Sequence, residues 1–374
     1  MTMWIIIMWT VIVLFAVSLG YLGISVPKLL NPETVAAWSK TKYILFCSLV
    51  AIGFAGAIAL CLDIVNAIVC VLYFTMIWAA TDFVFWAVQK TGLFTFEHYY
   101  AGWTALAIGV LALSAGWYLD HHVWQTSYEL KTAKDVPDLK VAMFADSHIG
   151  TTFDAEGFAK HLETIQVQDP DIVVVVGDYV DDGTKKEDMI KSSEALGRMK
   201  TKYGVFFVSG NHDKGYYGPA YRGFSEQELF DELQKNNIKI LRDETVSIND
   251  AFYLIGRRDF SEVKEQKGAR KSMEELVKDL DKSKYMIVLD HQPTDFKKQA
   301  EAKVDLVLCG HTHGGQLFPF NQVGKWIKAN DLVYGHEKRD ETNFIVTSGI
   351  SDWAIKFKTG TKSEYVMIDI KKGK

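Results

Sequence analysis

The chain has 374 residues, of which 48% are apolar and 23% are charged, and its formal net charge is −5. These averages hide a sharp division, because only nine charged side chains lie within residues 1–124. The remainder has the charge density of a water-soluble protein. The composition therefore excludes a single soluble domain and a disordered chain. The sequence has no basic arm or stripe, so nucleic acid is not an expected partner.

The first third of the chain contains four apolar segments that are long enough to cross a bilayer as helices, since a span needs about 20 residues. They cover approximately residues 3–24, 43–62, 64–88 and 102–119. Eight of the ten tryptophans lie before residue 125, and several lie near the ends of these segments, as interfacial anchors do. We therefore expect residues 1–124 to form a four-helix transmembrane domain, which makes this a multi-pass plasma-membrane protein.

Lysines indicate how these helices are oriented. The loops at about 25–42 and 89–101 hold four lysines, whereas the opposite side has only Lys131 and Lys134 nearby. Because cytoplasmic loops are enriched in lysine, we expect both termini and the polar domain outside the cytoplasm. Asp82 lies within the third segment, where a carboxylate either serves a function or is hydrogen-bonded inside the bundle. We favour the second reading.

Residues 125–374 alternate short apolar runs with amphipathic stretches. This alternation is typical of a layered α/β or α+β fold. The runs predict strands at 141–145, 172–176, 205–208, 285–289 and 304–308. The amphipathic stretches predict helices at 155–168, 186–201, 225–236 and 271–282.

Each predicted strand leads directly into polar residues. The five blocks are Asp146-Ser147-His148, Gly177-Asp178-Tyr179-Val180-Asp181, Gly210-Asn211-His212-Asp213, Asp290-His291 and Gly310-His311-Thr312-His313. Ligands of layered sheets gather beyond the carboxyl ends of the strands. One such block is commonplace, but five in order, each after an apolar strand, are not a coincidence. We therefore expect one shared site.

The chemistry of these blocks favours a pair of metal ions. Oxygen and imidazole donors without thiolate suit Mn, Fe, Zn, Co, Ni or Mg. Seven donors exceed the need of one ion and fit two divalent ions that share a carboxylate. Two ions about 3.5–4 Å apart can hold a hydroxide and clamp a phosphoryl group for in-line attack. The candidate ligands are Asp146, His148, Asp178, Asn211, His291, His311 and His313.

The order of the five blocks, spanning residues 146–313, resembles the calcineurin-like metallophosphoesterases. The form Gly310–Gln316 (GHTHGGQ), joined to N-terminal membrane segments, resembles a membrane-associated bacterial branch of that family. Related branches include enzymes that cleave lipid-linked pyrophosphates. The resemblance implies an αββα two-sheet sandwich for residues 125–374.

The resemblance also implies individual roles. Asp146, His148 and His313 would hold one metal, Asn211, His291 and His311 the other, and Asp178 would bridge the two. His212 occupies the catalytic position, where it stabilises the phosphoryl group or protonates the leaving oxygen. Asp181 would orient His212 and favour its charged form, although the neighbouring Asp182 leaves that assignment open.

These features together predict a membrane-anchored phosphoesterase that hydrolyses a phosphomonoester, phosphodiester or pyrophosphate, and we favour a lipid-linked substrate. Two alternatives stay open. The same chemistry could act on a soluble nucleotide or phosphoprotein, with the helices only as an anchor. The protein could instead be a non-catalytic membrane scaffold or sensor.

Other residues near the blocks are interpreted conservatively. Arg222, Arg257, Arg258 and Lys214 could bind phosphate, but we expect surface charges. The apolar loop Leu317–Phe320 is expected to pack on the domain rather than to meet an acyl chain or the bilayer.

Overall fold

The computed structural model describes residues 2–265 and 270–373. The chain divides into two compact units, Met1–Gly116 and Trp117–Lys374. The observed boundary is slightly earlier than the one expected near residue 124. The reason is that the last turn of the fourth long helix groups with the second unit.

The first unit is helical. Its helices are α1 (Thr2–Ser25), α2 (Pro32–Ala36), α3 (Lys40–Cys61), α4 (Ile64–Lys90) and α5 (Tyr100–His121), and α5 runs on into the second unit. Four of them are long and apolar enough to cross a membrane, as the sequence predicted. Leu22, Val71, Phe74, Trp78 and Ala105 form the apolar interior of this unit.

Asp82 is hydrogen-bonded inside the first unit. The Tyr21 hydroxyl donates to its Oδ2 at 2.5 Å, and the Tyr99 hydroxyl donates to its Oδ1 at 2.6 Å. Nε1 of Trp78 donates in turn to the Tyr99 oxygen at 2.8 Å. Within a bilayer every polar group needs such an internal partner. These contacts agree with the structural interpretation of Asp82.

The second unit contains twelve strands within the described residues. They are β1 (Trp124–Thr132), β2 (Leu139–Phe144), β3 (Ile172–Val176), β4 (Val205–Val208), β5 (Ile238–Ile240), β6 (Glu244–Ile248), β7 (Phe252–Gly256), β8 (Tyr285–Leu289), β9 (Leu306–Cys309), β10 (Gly335–Arg339), β11 (Thr342–Val346) and β12 (Glu364–Lys372). Its further helices are α6 (Ala155–Gln166), α7 (Lys186–Gly197), α8 (Pro219–Arg222), α9 (Glu226–Lys235), α10 (Ser261–Glu265), α11 (Met273–Val277), α12 (Phe296–Glu301) and α13 (Val323–Trp326).

The strands form two six-stranded mixed sheets. The first has the order β1-β12-β2-β3-β4-β5, and the second has the order β10-β11-β9-β8-β7-β6. Strands β2, β3 and β4 run parallel in the first sheet, as do β7, β8 and β9 in the second. Parallel neighbours place their carboxyl ends at one edge of a sheet, which is where a site can be assembled.

The apolar clusters of the second unit show how its sheets and helices are layered. One cluster joins the inner faces of the two sheets, with Val174 and Phe206 from the first sheet and Ile287 and Leu308 from the second. A second cluster packs the outer face of the first sheet against α6, α7 and α9. A third packs the outer face of the other sheet against α11 and α12. The αββα sandwich is therefore confirmed.

Local sequence predicted most of these elements closely, and one helix is much shorter than expected. The predicted helix at 271–282 is only Met273–Val277. Beyond it, the Asp281 carboxylate accepts hydrogen bonds from the backbone and hydroxyl of Ser283. Such side-chain bonds to the local backbone compete with helix formation, so the chain turns instead.

Candidate metal centre

The seven candidate ligands lie in loops at the carboxyl ends of five strands, β2, β3, β4, β8 and β9. Two groups of potential ligand atoms converge, with all atoms of a group within 4.8 Å of one another. The first group is Asp146, His148 and His313, and the second is Asp178, His291 and His311. All are buried except His311, which is partly exposed.

Asp178 faces both groups. Its Oδ2 lies 3.0 Å from Nε2 of His291 and 3.8 Å from Nε2 of His148. Its Oδ1 accepts a hydrogen bond from the backbone N–H of His212 at 2.8 Å. One carboxylate oxygen is therefore placed between the imidazoles of the two groups, as a bridging ligand requires.

The histidine rings are oriented by contacts at Nδ1. Nδ1 of His291 bonds to the carbonyl of Val176 at 2.8 Å, and Nδ1 of His148 lies 3.3 Å from Asp181. Nε2 of His148 is buried and has no hydrogen-bond partner among the residues that the structure describes, and its Nδ1 has only the charge contact with Asp181. Metal-binding histidines in proteins are held in this way, with the outer nitrogen anchored and the inner one directed at the ion. The donor set therefore fits divalent metal ions.

The pKa values of the candidate histidine ligands are shifted in opposite directions within the second group. Burial lowers the pKa of His313 to about 3 and that of His311 to about 4. Both rings are therefore neutral at neutral pH, which is the form that binds metal. Burial would also lower the pKa of His291, but Asp178 outweighs it and raises that pKa well above its usual value. A cation near Asp178 is thus strongly favoured.

The ligand backbones are strained. Five of the seven candidate ligands have a positive φ, which is rare outside glycine: Asp146 (56°), His148 (37°), Asp178 (51°), His311 (72°) and His313 (47°). Such conformations persist where the surrounding structure enforces them, and they concentrate at functional sites.

Two glycines of the sequence blocks allow the loops to approach one another. A Cβ on Gly210 would overlap the Asp178 carboxylate, and a Cβ on Gly310 would lie 2.5 Å from Oδ2 of Asp146. Any other residue at either position would push a ligand carboxylate aside. This steric constraint explains why a glycine opens each of these two blocks.

Asn211 and His212 complete the site. Nδ2 of Asn211 donates to the Tyr216 hydroxyl at 2.8 Å, which leaves the amide oxygen as a possible ligand. The His212 ring is only partly buried, and its centroid lies 4.9 Å from that of His148. Tyr216 and Trp353 flank it, with ring centroids 5.1 and 5.9 Å away. His212 therefore stands where a substrate can reach it.

The position of Asp181 differs from the expected one. Its carboxylate lies beside Nδ1 of His148, and the described residues include no hydrogen bond between Asp181 and His212. Burial lowers the pKa of His212, although Asp178 and Asp181 oppose this effect. The expected charged form of His212 is therefore not favoured. The reason is that the β3 loop turns Asp181 towards the nearer imidazole of His148.

Asp182 does not orient His212 either. Its carboxylate accepts hydrogen bonds from the backbone N–H groups of Tyr216 and Tyr217 at 3.0 and 3.1 Å. It therefore fixes the tyrosine-containing loop that follows the Asn-His-Asp block.

Three further acidic residues support the site, and only one of them, Asp213, belongs to a block that the sequence analysis identified. Oδ1 of Asp352 lies 3.0 Å from Nδ1 of His313. Asp352 also lies close to Asp120, and both side chains are fully buried. Asp213 accepts four backbone hydrogen bonds of 2.7–3.1 Å, from Asp178, Tyr179, Val180 and Gly210. The contacts of Asp120 and Asp352 depend on tertiary structure, so no local motif marks these two residues.

Two of the expected surface charges are in fact buried. Arg257 is 3% exposed and pairs with Asp290 and Asp295 at 3.0 and 2.9 Å. Arg222 is 5% exposed and donates to the carbonyls of Phe224 and Asp213. The surface prediction was wrong for both, because each guanidinium finds enough internal acceptors to be buried.

Known proteins are similar to this chain in sequence. The family model described as calcineurin-like phosphoesterase matches residues 139–315. A metallophosphoesterase of Campylobacter jejuni is 31% identical over 63% of this chain and 59% of its own length. A transmembrane protein with metallophosphoesterase domain from Danio rerio is 28% identical over 64% of this chain and 55% of its own length. The chain spans about three-fifths of the length of such relatives.

Solved structures are also similar. A dimetal phosphatase from Danio rerio matches with a TM-score of 0.34 and 12% identity, covering 58% of this chain and 88% of that one. The membrane-associated branch indicated by Gly310–Gln316 stays a prediction. The family match and the relatives agree on the domain itself: residues 139–315 match the calcineurin-like phosphoesterase model, and the relatives similar to this chain are named metallophosphoesterases.

Proposed function

We propose that the protein is a membrane-anchored phosphoesterase that uses two divalent metal ions to hydrolyse a lipid-linked phosphoester or pyrophosphate. The observation that carries this proposal is the pair of buried ligand groups that Asp178 joins, with His212 beside them at the surface. A structural metal site would be closed, whereas this one has an accessible imidazole at its mouth.

The proposed ligands are Asp146, His148 and His313 for one ion, Asn211, His291 and His311 for the other, and Asp178 for both. When bound, a pair of divalent ions supplies Lewis-acid polarisation of the phosphoryl oxygens and makes water acidic enough to ionise near neutral pH. The protein contributes rigid placement, because Asp181, Val176 and Asp352 fix the ligand rings before substrate arrives.

His212 is proposed to act on the substrate directly. Its lowered pKa leaves a neutral imidazole, and a neutral imidazole still carries one N–H group. That N–H can donate a hydrogen bond to a phosphoryl oxygen or to the leaving oxygen. The backbone N–H of His212 donates to Asp178, so the His212 backbone is held beside the carboxylate that is proposed to bridge the ions.

The four membrane-spanning helices support a lipid-linked substrate, since they keep the domain at a bilayer surface. A relative named as a transmembrane protein with metallophosphoesterase domain is consistent with this coupling. The lysine distribution supports placement of the domain outside the cytoplasm.

The catalytic assignment predicts large losses of activity in two variants. We expect His212→Ala to lower kcat by about 10²–10⁴-fold, which is the usual contribution of a positioned acid or hydrogen-bond donor. Asn211→Ala should lower activity at limiting metal, because it removes a ligand. The measurement is hydrolysis by full-length protein with added Mn²⁺ of a panel of lipid phosphates, lipid-linked pyrophosphates, nucleotides and phosphopeptides.

His336→Ala is the matched control for that panel, because His336 is an exposed histidine on β10. It should retain wild-type rates. Near-normal rates in His212→Ala would contradict its role. Hydrolysis of nucleotides or phosphopeptides alone would contradict the lipid substrate, and a metal-loaded protein that hydrolyses nothing would indicate a scaffold or sensor.

A substitution of Asp352 tests whether its contact with Nδ1 of His313 supports metal binding. Asp352→Asn keeps the shape of the side chain but removes the charge beside Nδ1 of His313. Replacement of such outer partners typically lowers metal affinity by about 10–100-fold. Calorimetric titration with Mn²⁺ should show this loss in one of two binding events. Asp279→Asn, which alters a carboxylate that is 83% exposed, should bind normally, and equal affinities in both variants would contradict the role.

The topology can be tested with reporter fusions after Lys374. A reporter that is active only outside the cytoplasm should be active, and one that is active only in the cytoplasm should be silent. The opposite pattern would contradict the proposed orientation.

A further inference from the structure

The segment Leu317–Lys328 begins four residues after the candidate ligand His313 and exposes large apolar side chains. Phe318 is 59% exposed, Phe320 57%, Trp326 68% and Ile327 69%. The expectation that the loop Leu317–Phe320 packs on the domain is therefore wrong for both of its phenylalanines. A soluble domain seldom presents so many large apolar side chains together unless they meet a partner or a membrane.

This exposure is not the result of a loose loop. The Gln316 carbonyl accepts hydrogen bonds from the backbone N–H groups of Thr359 and Gly360 at 2.9 and 3.0 Å. Nε2 of Gln316 donates to the carbonyl of Ile355 at 2.7 Å, and the Phe318 N–H donates to Oγ1 of Thr359 at 3.1 Å. The start of the segment is thus fixed to residues 355–360.

The same residues 355–360 contact the last turn of α5. The rings of Phe357 and Trp117 lie 5.7 Å apart, and the His121 ring stacks on Trp117 at 3.8 Å. Trp117 belongs to the second unit and also to the end of a helix that is apolar enough to span a membrane. Tryptophan at the end of a span marks the level of the lipid headgroups. The exposed segment is therefore tied to a residue at that level.

The charges of the segment also fit a membrane surface. Lys325 and Lys328 flank Trp326 and Ile327 in the sequence. Nζ of Lys325 lies 3.6 Å from Glu337, and its side chain is still 47% exposed. Aromatic and aliphatic side chains with flanking lysines are typical of segments that lie in the interface and meet anionic headgroups.

A further exposed aromatic side chain lies at the candidate metal centre. Trp353 is 47% exposed, and its ring lies 5.9 Å from that of His212. Because Leu317 follows the candidate ligand His313 by four residues, a lipid surface in contact with the start of the segment would lie within about 14 Å of that ligand.

We propose that Leu317–Lys328 inserts into the lipid–water interface of the membrane that the helices span, and that this second contact turns the metal centre towards lipid headgroups. The membrane contact stands on its own observations. The delivery of a lipid phosphoester to the site rests on the proposed function and sharpens its substrate class to lipids presented in a bilayer.

Site-specific photo-crosslinking tests the contact without requiring activity. Benzoylphenylalanine replaces Phe320 or Ile327 in the full-length protein, reconstituted in nanodiscs of phosphatidylcholine and phosphatidylglycerol with a clickable phospholipid. Val167, which is 81% exposed at the end of α6, is the matched control position. Lipid adducts are expected at 320 and 327 and not at 167. Adducts no more frequent than at 167, or adducts to protein only, would overturn the proposal.

A kinetic comparison tests the delivery of lipid. Phe320→Ser/Ile327→Ser should lower kcat/KM by about tenfold on a phosphoester embedded in vesicles, since much apolar contact area is lost. It should leave the rate on soluble bis(p-nitrophenyl) phosphate unchanged. Equal losses on both substrates would contradict the delivery role. A wild-type protein that hydrolyses neither would contradict the proposed function, while the crosslinking result would still decide the membrane contact.

Discussion

The Asp178 carboxylate is buried between the imidazoles of His148 and His291, and the rest of the second unit is arranged around it. A buried carboxylate is costly unless cations and hydrogen bonds compensate it. Burial would raise the pKa of Asp178, but His291 and its neighbours outweigh burial and hold that pKa well below the usual value. Two features of the surrounding loops hold the Asp178 carboxylate in this position. Gly210 leaves room for the Asp178 carboxylate, because it has no Cβ. Asp213 accepts hydrogen bonds from the backbone N–H groups of Asp178 and Gly210 and so holds the two loops together.

The histidine ligands depend on a second layer of contacts. Val176 and Asp181 orient His291 and His148, and Asp352 orients His313. Asp352 also lies close to Asp120, which belongs to the last turn of α5. A buried residue at the end of a helix that is long and apolar enough to cross a membrane is thus a neighbour of the carboxylate that orients His313.

Local sequence was sufficient to predict the strands and the residues that follow them. Runs such as Ile172–Val176 and Val205–Val208 are rich in β-branched and aromatic residues, and they form strands with the expected bounds. Polar residues that directly follow parallel strands lie at the same edge of a sheet. The positions of the candidate ligands could therefore be predicted from the sequence. The contact of Asp181 with His148 could not be predicted, because loop geometry decides it. Asp352 and the positive φ angles likewise arise only when distant segments pack together.

The two ligand groups are joined by one carboxylate, and this central claim can be tested by electron paramagnetic resonance of the Mn²⁺-loaded full-length protein. Two ions that share Asp178 should be exchange-coupled and present at two per chain. In Asp178→Asn, which keeps the side-chain shape but removes its charge, the coupled signal should disappear and the metal content should fall. A wild-type spectrum of isolated Mn²⁺ at one ion per chain, or an unchanged coupled spectrum in the variant, would contradict the account.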